Sequence, residues 1–342
     1  MSDNDNEEEL PMNTSQPTIT TVAEFPLHTM PENLAVRADG SILVVASPQR
    51  QLWYVPAPSG TLPVEPVLLE TFDEEQLAQS LVEVEPDLFL VTTYGDAVLR
   101  RLDLRGWTPG EPVSTTTVFR FDPPAGPNGA ALVGPGVMLL ADCVEGLIWR
   151  LDVTDDARTV AASVWLKDES MAAGGGHPDV KFSDTQSVPF PGINGLAFGP
   201  KTQHVYWATS SLGVFARVAI DPDSYEPTGP VEKLADVVNC DDLCLDEDLG
   251  VAYIARHPDH IIERAPLDPN RPAPDQRPAA GDPFTDALIG PTSIDWGRSP
   301  GDYGRVAYAP TDGGVIKLPA DGQLRPARLV RIEFSSAHQD TL

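Results

Sequence analysis

The stretch Asn194–Ile220, NGLAFGPKTQHVYWATSSLGVFARVAI, decides the fold. It opens on a polar residue and continues as three apolar runs divided by turns, each run the length of a short strand. The plan returns at Glu32 (ENLAVRADGSILVVASPQRQLWYVP), Gln79 (QSLVEVEPDLFLVTTYGDAVLRRLDL) and Asn128 (NGAALVGPGVMLLADCVEGLIWRLDV). It recurs at Asp241 (DDLCLDEDLGVAYIARHPDHIIERAPL) and Thr292 (TSIDWGRSPGDYGRVAYAPTDGGVIKL). The first residues of the six copies lie 47, 49, 66, 47 and 51 apart. That is the period of four-stranded propeller blades and not of sandwich strands. Each copy supplies three strands, and outer fourth strands are predicted at Pro66–Phe72, Val113–Phe121, Ala162–Leu166 and Val231–Val237. Thr18–Leu27 or Arg328–Phe334 is left to complete the last blade, which closes the ring and removes an open sheet edge. The expected fold class is therefore all-β: a six-bladed β-propeller of four-stranded antiparallel blades, closed by a terminal strand and occupying residues 18–342 as a single domain.

Composition agrees with that reading. The 35 prolines and 27 glycines are spread along all 342 residues and interrupt any long helix. Residues 1–17 carry five acids in the first nine positions and no apolar periodicity, so they read as a disordered acidic tail. The formal charge, 23 − 51 = −28, repels phosphate backbones and anionic lipids and argues against nucleic acid or a membrane as partner. Cys143, Cys240 and Cys244 are too few and odd in number for a disulfide framework, and no apolar stretch nears the roughly 20 residues of a spanning helix. These features predict a soluble, cytoplasmic protein.

The repeat also places particular residues. The first residue of each innermost strand in a propeller stands at the mouth of the central channel. The predicted inner ring is therefore Glu32, Gln79, Asn128, Asn194, Asp241 and Thr292. The ends of the second strands add Ser47, Tyr94, Asp142, Ser210, His257 and Thr311 at the same face. Two carboxylates and two Asn amides are hard oxygen donors suited to calcium or magnesium. The same residues would equally serve turn backbone groups or channel water. Without a cation, Glu32 and Asp241 facing each other would raise one another's pKa, and one would carry a proton. His257 is the only histidine at a mouth position and the candidate proton carrier. The interval of 66 places a surplus of roughly 18 residues in Lys167–Val188, a candidate lid over that face. Within it, the GGGH of Gly174–His177 lacks the strand and helix of a phosphate loop and reads as a flexible loop. Six histidines without an H-E-x-x-H motif argue against a zinc protease or a serine triad. Cys240 and Cys244 alone do not make a zinc site and read as packing residues.

The segments PENLAVRADGSILV, PGINGLAFGPKTQHVYWATS and CDDLCLDEDLGVAYIA resemble the senescence-marker-protein and gluconolactonase family of six-bladed propellers, over about residues 20–335. The resemblance implies a divalent cation in the channel held by Glu32, Asn194 and Asp241, with Asn128 on the substrate side. Where the family reads Asp-Gly, this chain reads Asp241-Asp242. Within the family, the segments look most like a fungal biosynthetic branch, the hetero-Diels-Alderases of tropolone sesquiterpenoid biosynthesis. That likeness implies a [4+2] cycloaddition of a tropolone ortho-quinone methide with a humulene-type terpene, both small and apolar. Such a reaction requires orientation of its partners and hydrogen-bond donors, with no cofactor. The donors would be Tyr94, Asn128, Asn194, Ser210 and His257, with Glu32 or Asp241 assisting loss of water; Trp107, Phe121, Met171, Phe190 and Phe284 would form apolar walls. The alternative is a metal-dependent lactonase using the same ring. A third reading is a scaffold that binds a protein and catalyses nothing. The oligomeric state is not encoded in any of these features.

Overall fold

The computed structural model describes residues 16–73, 76–174, 176–181, 187–270 and 276–334. The tail predicted over 1–17 lies, up to residue 15, outside the described residues, as do residues 335–342.

Six four-stranded antiparallel sheets make six blades. Blade one is Pro31–Val36, Ile42–Ala46, Gln51–Val55 and Val67–Thr71. Blade two is Gln76–Glu85, Leu88–Gly95, Val98–Asp103 and Thr116–Arg120. Blade three is Pro127–Gly134, Val137–Asp142, Leu147–Thr154 and Thr159–Lys167. Blade four is Ile193–Gly199, His204–Thr209, Val214–Ala219 and Glu232–Asp236. Blade five is Cys240–Asp246, Val251–Arg256, Ile261–Pro266 and Arg277–Gly281. Among the described residues no helix is long and apolar enough to cross a membrane.

Blade six corrects the sequence reading. Its strands are Asp295–Trp296, Val306–Thr311, Arg328–Glu333 and, outermost, Thr18–Glu24. Both leftover segments are therefore used, and the apolar run Gly314–Leu318 is a turn and loop, not the third strand. The antiparallel pairing of Thr18–Glu24 with Arg328–Glu333 joins the two ends of the chain in one sheet.

Alternation along each strand builds the core between blades. In blade one, Ile42, Val44 and Ala46 face blade six while Leu43 and Val45 face blade two. Both faces of the strand are covered, so all five residues of Ile42–Ala46 are buried. Six apolar clusters result, one at each blade interface. The largest side chains sit there, including Trp207, Tyr206 and Tyr253.

Candidate functional site

At the start of the innermost strands the pairing register slips. In blade one the partners jump from Pro31↔Ala46 to Asn33↔Val45, and in blade two from Ala78↔Thr93 to Ser80↔Thr92. Blades three, four and five slip across Asn128–Gly129, Asn194–Gly195 and Asp241–Asp242. A bulge frees a residue from the ladder and re-aims its side chain. The freed residues are Glu32, Gln79, Asn128, Asn194 and Asp241, five of the six predicted for the inner ring. The bulges also bring neighbouring backbones together. A Cβ on Gly195 would lie 2.6 Å from Asp242 Cα and 2.7 Å from Asp241 O, so only glycine fits after Asn194.

These side chains line a cavity of about 190 Å³ at the channel mouth. Glu32, Tyr94, Asn128, Asn194, Asp241 and His257 all reach it, with Ser47, Gln79 and Ser210. Thr292, Asp142 and Thr311 do not. Asp142 is fully buried and caps a turn, accepting from Gly126 N, Val144 N, Glu145 N and Trp149 Nε1. Thr311 bonds the backbone of Arg328. Of the predicted apolar walls only Phe190 lines the cavity. Trp107 packs edge-on against Tyr54, Phe121 and Met171 are core residues, and Phe284 is 83% exposed outside the cavity.

Hydrogen bonds fix the polar floor. Gln79 Nε2 donates to Ser47 Oγ at 2.7 Å. Asn194 Nδ2 donates to Ser210 Oγ at 2.9 Å, and Ser210 Oγ donates to Cys240 O at 2.7 Å. That chain orients the Asn194 amide and leaves its Oδ1 buried without a partner. A buried acceptor in that condition is a place for a cation, a ligand donor or an ordered water. Glu32 is pushed well above the usual carboxylate range by burial and by the neighbouring Asp241. Burial pushes the Tyr94 phenol up to about 12, so it is a neutral donor.

His257 stands on a 3₁₀ turn, His257–Asp259, directly after the second strand of blade five. Its Nε2 lies 2.9 Å from Asp312 Oδ2 and its Nδ1 lies 3.4 Å from Asp241 Oδ2. Burial alone would lower its pKa, but Asp312 and Asp241 raise it to about 10, so the imidazole is a cation. Asp312 is itself held by Gly314 N at 2.6 Å and Ile316 N at 2.9 Å. Sequence reasoning missed Asp312 because it follows, by one residue, the strand end at Thr311 that the repeat marked.

The insertion after blade three lies beside this mouth. Thr209 and Ser211 hydroxyls hold its base through Ser170 O and Ala172 O. The GGGH segment, read as a loop without a role, brings His177 onto Phe190, rings stacked 4.4 Å apart, and His177 lines the cavity with Val180 and Pro189. Cys143 and Cys240 also reach it, both thiols pushed up to about 12 by burial. The pentapeptide Gly297–Gly301, GRSPG, matches the spacing of a serine nucleophile elbow, but Ser299 is exposed on a turn with no strand-to-helix setting.

The Asp241-Asp242 pair divides. Asp241 stays at the mouth, whereas Asp242 lies on the other side of the ring, where Oδ2 accepts from Asn33 Nδ2 at 2.5 Å across the channel. Burial and the charge of Asp241 push Asp242 up to about 7. The Glu32, Asn194 and Asp241 oxygens fit a hard divalent cation in donor chemistry, with the orphaned Asn194 Oδ1 as the structural mark. Among the described residues no three His, Cys, Asp or Glu side chains group as metal ligands, so the Asn194 amide is essential to such a set.

No family model and no curated protein matches the sequence. Solved structures do match in fold. A luciferin-regenerating enzyme is similar at TM-score 0.63 and 14% identity, over 93% of this chain and 95% of that one. Regucalcin from Agrobacterium tumefaciens, described as a calcium-binding protein, gives 0.62 and 15%, over 92% and 94%. A protein assigned as a gluconolactonase gives 0.57 and 13%, over 93% and 92%. At such identities the likeness establishes the six-bladed propeller fold that this chain shares with them.

Proposed function

We propose that the chain is an enzyme that hydrolyses a lactone or related ester in the channel-mouth cavity, assisted by a divalent cation. The observation that carries this reading is the buried Asn194 Oδ1, held without a partner at a mouth that also presents Glu32 and Asp241. The regucalcin and gluconolactonase-like neighbours lean the same way. A calcium-like cation on Glu32, Asn194 and Asp241 would polarise the carbonyl and lower the pKa of attacking water. With the cation bound, Glu32 would be held ionised despite its burial and would take the proton from that water as its oxygen bonds to the acyl carbon. The acyl C–O bond breaks, and His257, steadied by Asp312, gives a proton to the departing ring oxygen. Tyr94 and Asn128 donate to the substrate.

The main alternative, a hetero-Diels-Alder cycloaddition, draws on a separate observation. Met30, Val180, Phe190, Pro191 and Ile316 line the cavity, and no Lys or Arg does among the described residues. Such walls suit two apolar partners better than a sugar acid, and the polar floor would then supply donors to the heterodiene carbonyl.

One experiment separates the two. Purified protein is incubated with a lactone panel, and separately with a hydroxymethyl-tropolone and a humulene-type alcohol, each with and without chelator. Chelator-sensitive ring opening is expected. A single stereoisomeric adduct that forms in the presence of chelator, without lactone opening, would overturn the hydrolase reading in favour of the cycloaddition.

A further inference from the structure

Beyond the ring of bulges the channel widens again at the opposite face, into a cavity of about 700 Å³. That is within the usual size of small-molecule sites, roughly 300–1,000 Å³. All six innermost strands line it, and they do so with apolar residues such as Leu34, Leu81, Leu132, Leu196, Phe198 and Trp296. Four carboxyl groups interrupt this surface, Asp242 at the inner end, Asp295 on the blade-six wall, and Glu83 and Glu247, and the cations Lys201 and Arg298 line it too.

Neither Asp242 nor Asp295 is in an ion pair among the described residues. The two cations that line this cavity are already engaged. Arg298 bonds Glu83 and, at 3.1 Å, Val36 O, while Lys201 Nζ lies 2.5 Å from Asp248 Oδ1. Asp242 is satisfied as an acceptor by Asn33, whereas Asp295 is held by backbone groups alone, Trp296 N to Oδ1 at 2.8 Å and the backbone of Val36. Asp295 remains partly open to the cavity, and its desolvated setting pushes it up to about 6. Arg298 lines the same cavity and eases the Asp295 charge from a distance, but it is paired with Glu83, and a carboxylate on an apolar wall without a cation in contact is costly unless one is delivered to it. A hard metal ion would require several oxygens converging on one point, and among the described residues no three acidic, His or Cys side chains do so here. An organic ammonium requires one carboxylate and an apolar bed.

We propose that this lower cavity is a second binding site, for a compact apolar amine whose ammonium pairs with Asp295 and whose hydrocarbon body lies on Leu34, Leu132, Phe198 and Trp296. The site is separate from the mouth and does not depend on the hydrolase reading.

Calorimetric titration with cyclohexylmethylammonium tests it, run in high salt to screen the acidic surface and compared with the neutral isostere cyclohexylmethanol. The amine is expected to bind at one site per chain and at least tenfold more tightly than the alcohol. Asp295→Asn is expected to remove that tenfold preference, and Leu132→Trp, which fills the cavity, to remove binding of both. Glu32→Gln at the mouth is expected to leave the isotherm unchanged. Equal binding of amine and alcohol, no saturable binding, an unchanged isotherm in Asp295→Asn, or loss of binding in Glu32→Gln would each overturn the proposal.

Discussion

The two ends of the channel are built from the same innermost strands and differ in character because of where the pairing register slips. Above the slip, Glu32, Asn128, Asn194 and Asp241 leave the ladder and form the polar floor of a small cavity with apolar walls. Below it, the strands present Leu34, Leu132, Leu196 and Leu243 to a wider cavity in which charged groups sit among apolar strand residues. The boundary falls between consecutive residues: Glu32 from Asn33, and Asp241 from Asp242. One extra residue per strand is thus enough to turn an apolar channel wall into a ring of hydrogen-bonding and acidic groups.

The contrast is most sharply tested at the two adjoining aspartates. Asp241→Asn, and likewise Glu32→Ala, is expected to lower kcat/KM by about 10²–10⁴, the range for a displaced acid–base group, whereas Asp242→Asn should stay within a fewfold of wild type in the same lactone assay. Equal losses for Asp241 and Asp242 would erase the boundary. Phe190→Ala is expected to act next most strongly, raising KM for apolar lactones roughly tenfold with kcat nearly unchanged, the mark of lost uniform binding. Gly195→Ala should cost about 1–3 kcal/mol through forced backbone displacement, read as a lower Tm without a change in substrate preference.

The smallest effect is a separation of pH windows, measured as Tm in the presence of chelator. His257 has a folded pKa of about 10 against about 6.5 unfolded, so its stabilisation is complete below 6.5 and is lost as pH rises through about 10. Asp295, at about 6 folded and 3.8 unfolded, binds more protons in the native state between those values, so its contribution falls as pH rises from about 4 to about 6. Asp312→Asn is expected to weaken the alkaline window alone, and Asp295→Asn to remove only its own share of the acid window, in which Glu32 and Asp242 also titrate. If either variant altered both windows, the two ends would be coupled and the division would fail.

Much of this architecture was legible in the sequence because the repeat is carried by local chemistry. A polar residue followed by an apolar run marks each innermost strand, and the repeat offset carries Glu32, Asn128, Asn194 and Asp241 to one point. What could not be read depended on contacts far apart in the chain. The fourth strand of blade five, Arg277–Gly281, is RPAAG and lacks β-branched residues, and its Pro278 is tolerated because the strand is outermost. The third strand of blade six comes only after a long loop, so the nearer apolar run Gly314–Leu318 took its place in the repeat. Phe121 and Met171 are apolar enough to line a pocket, but the blade interfaces claim them. His177 enters the site through its stack on Phe190 and a 3.2 Å contact with Ser211 O, neither of which has a sequence period.

The central claim is that the bulged ring at the mouth is the cation-dependent site, and it is tested most directly by calorimetric titration of calcium into wild type, Asn194→Leu and Asp295→Asn. The account predicts one calcium per chain in wild type and Asp295→Asn, and none in Asn194→Leu with its fold retained. Saturable calcium binding that survives Asn194→Leu, or disappears in Asp295→Asn, would contradict it.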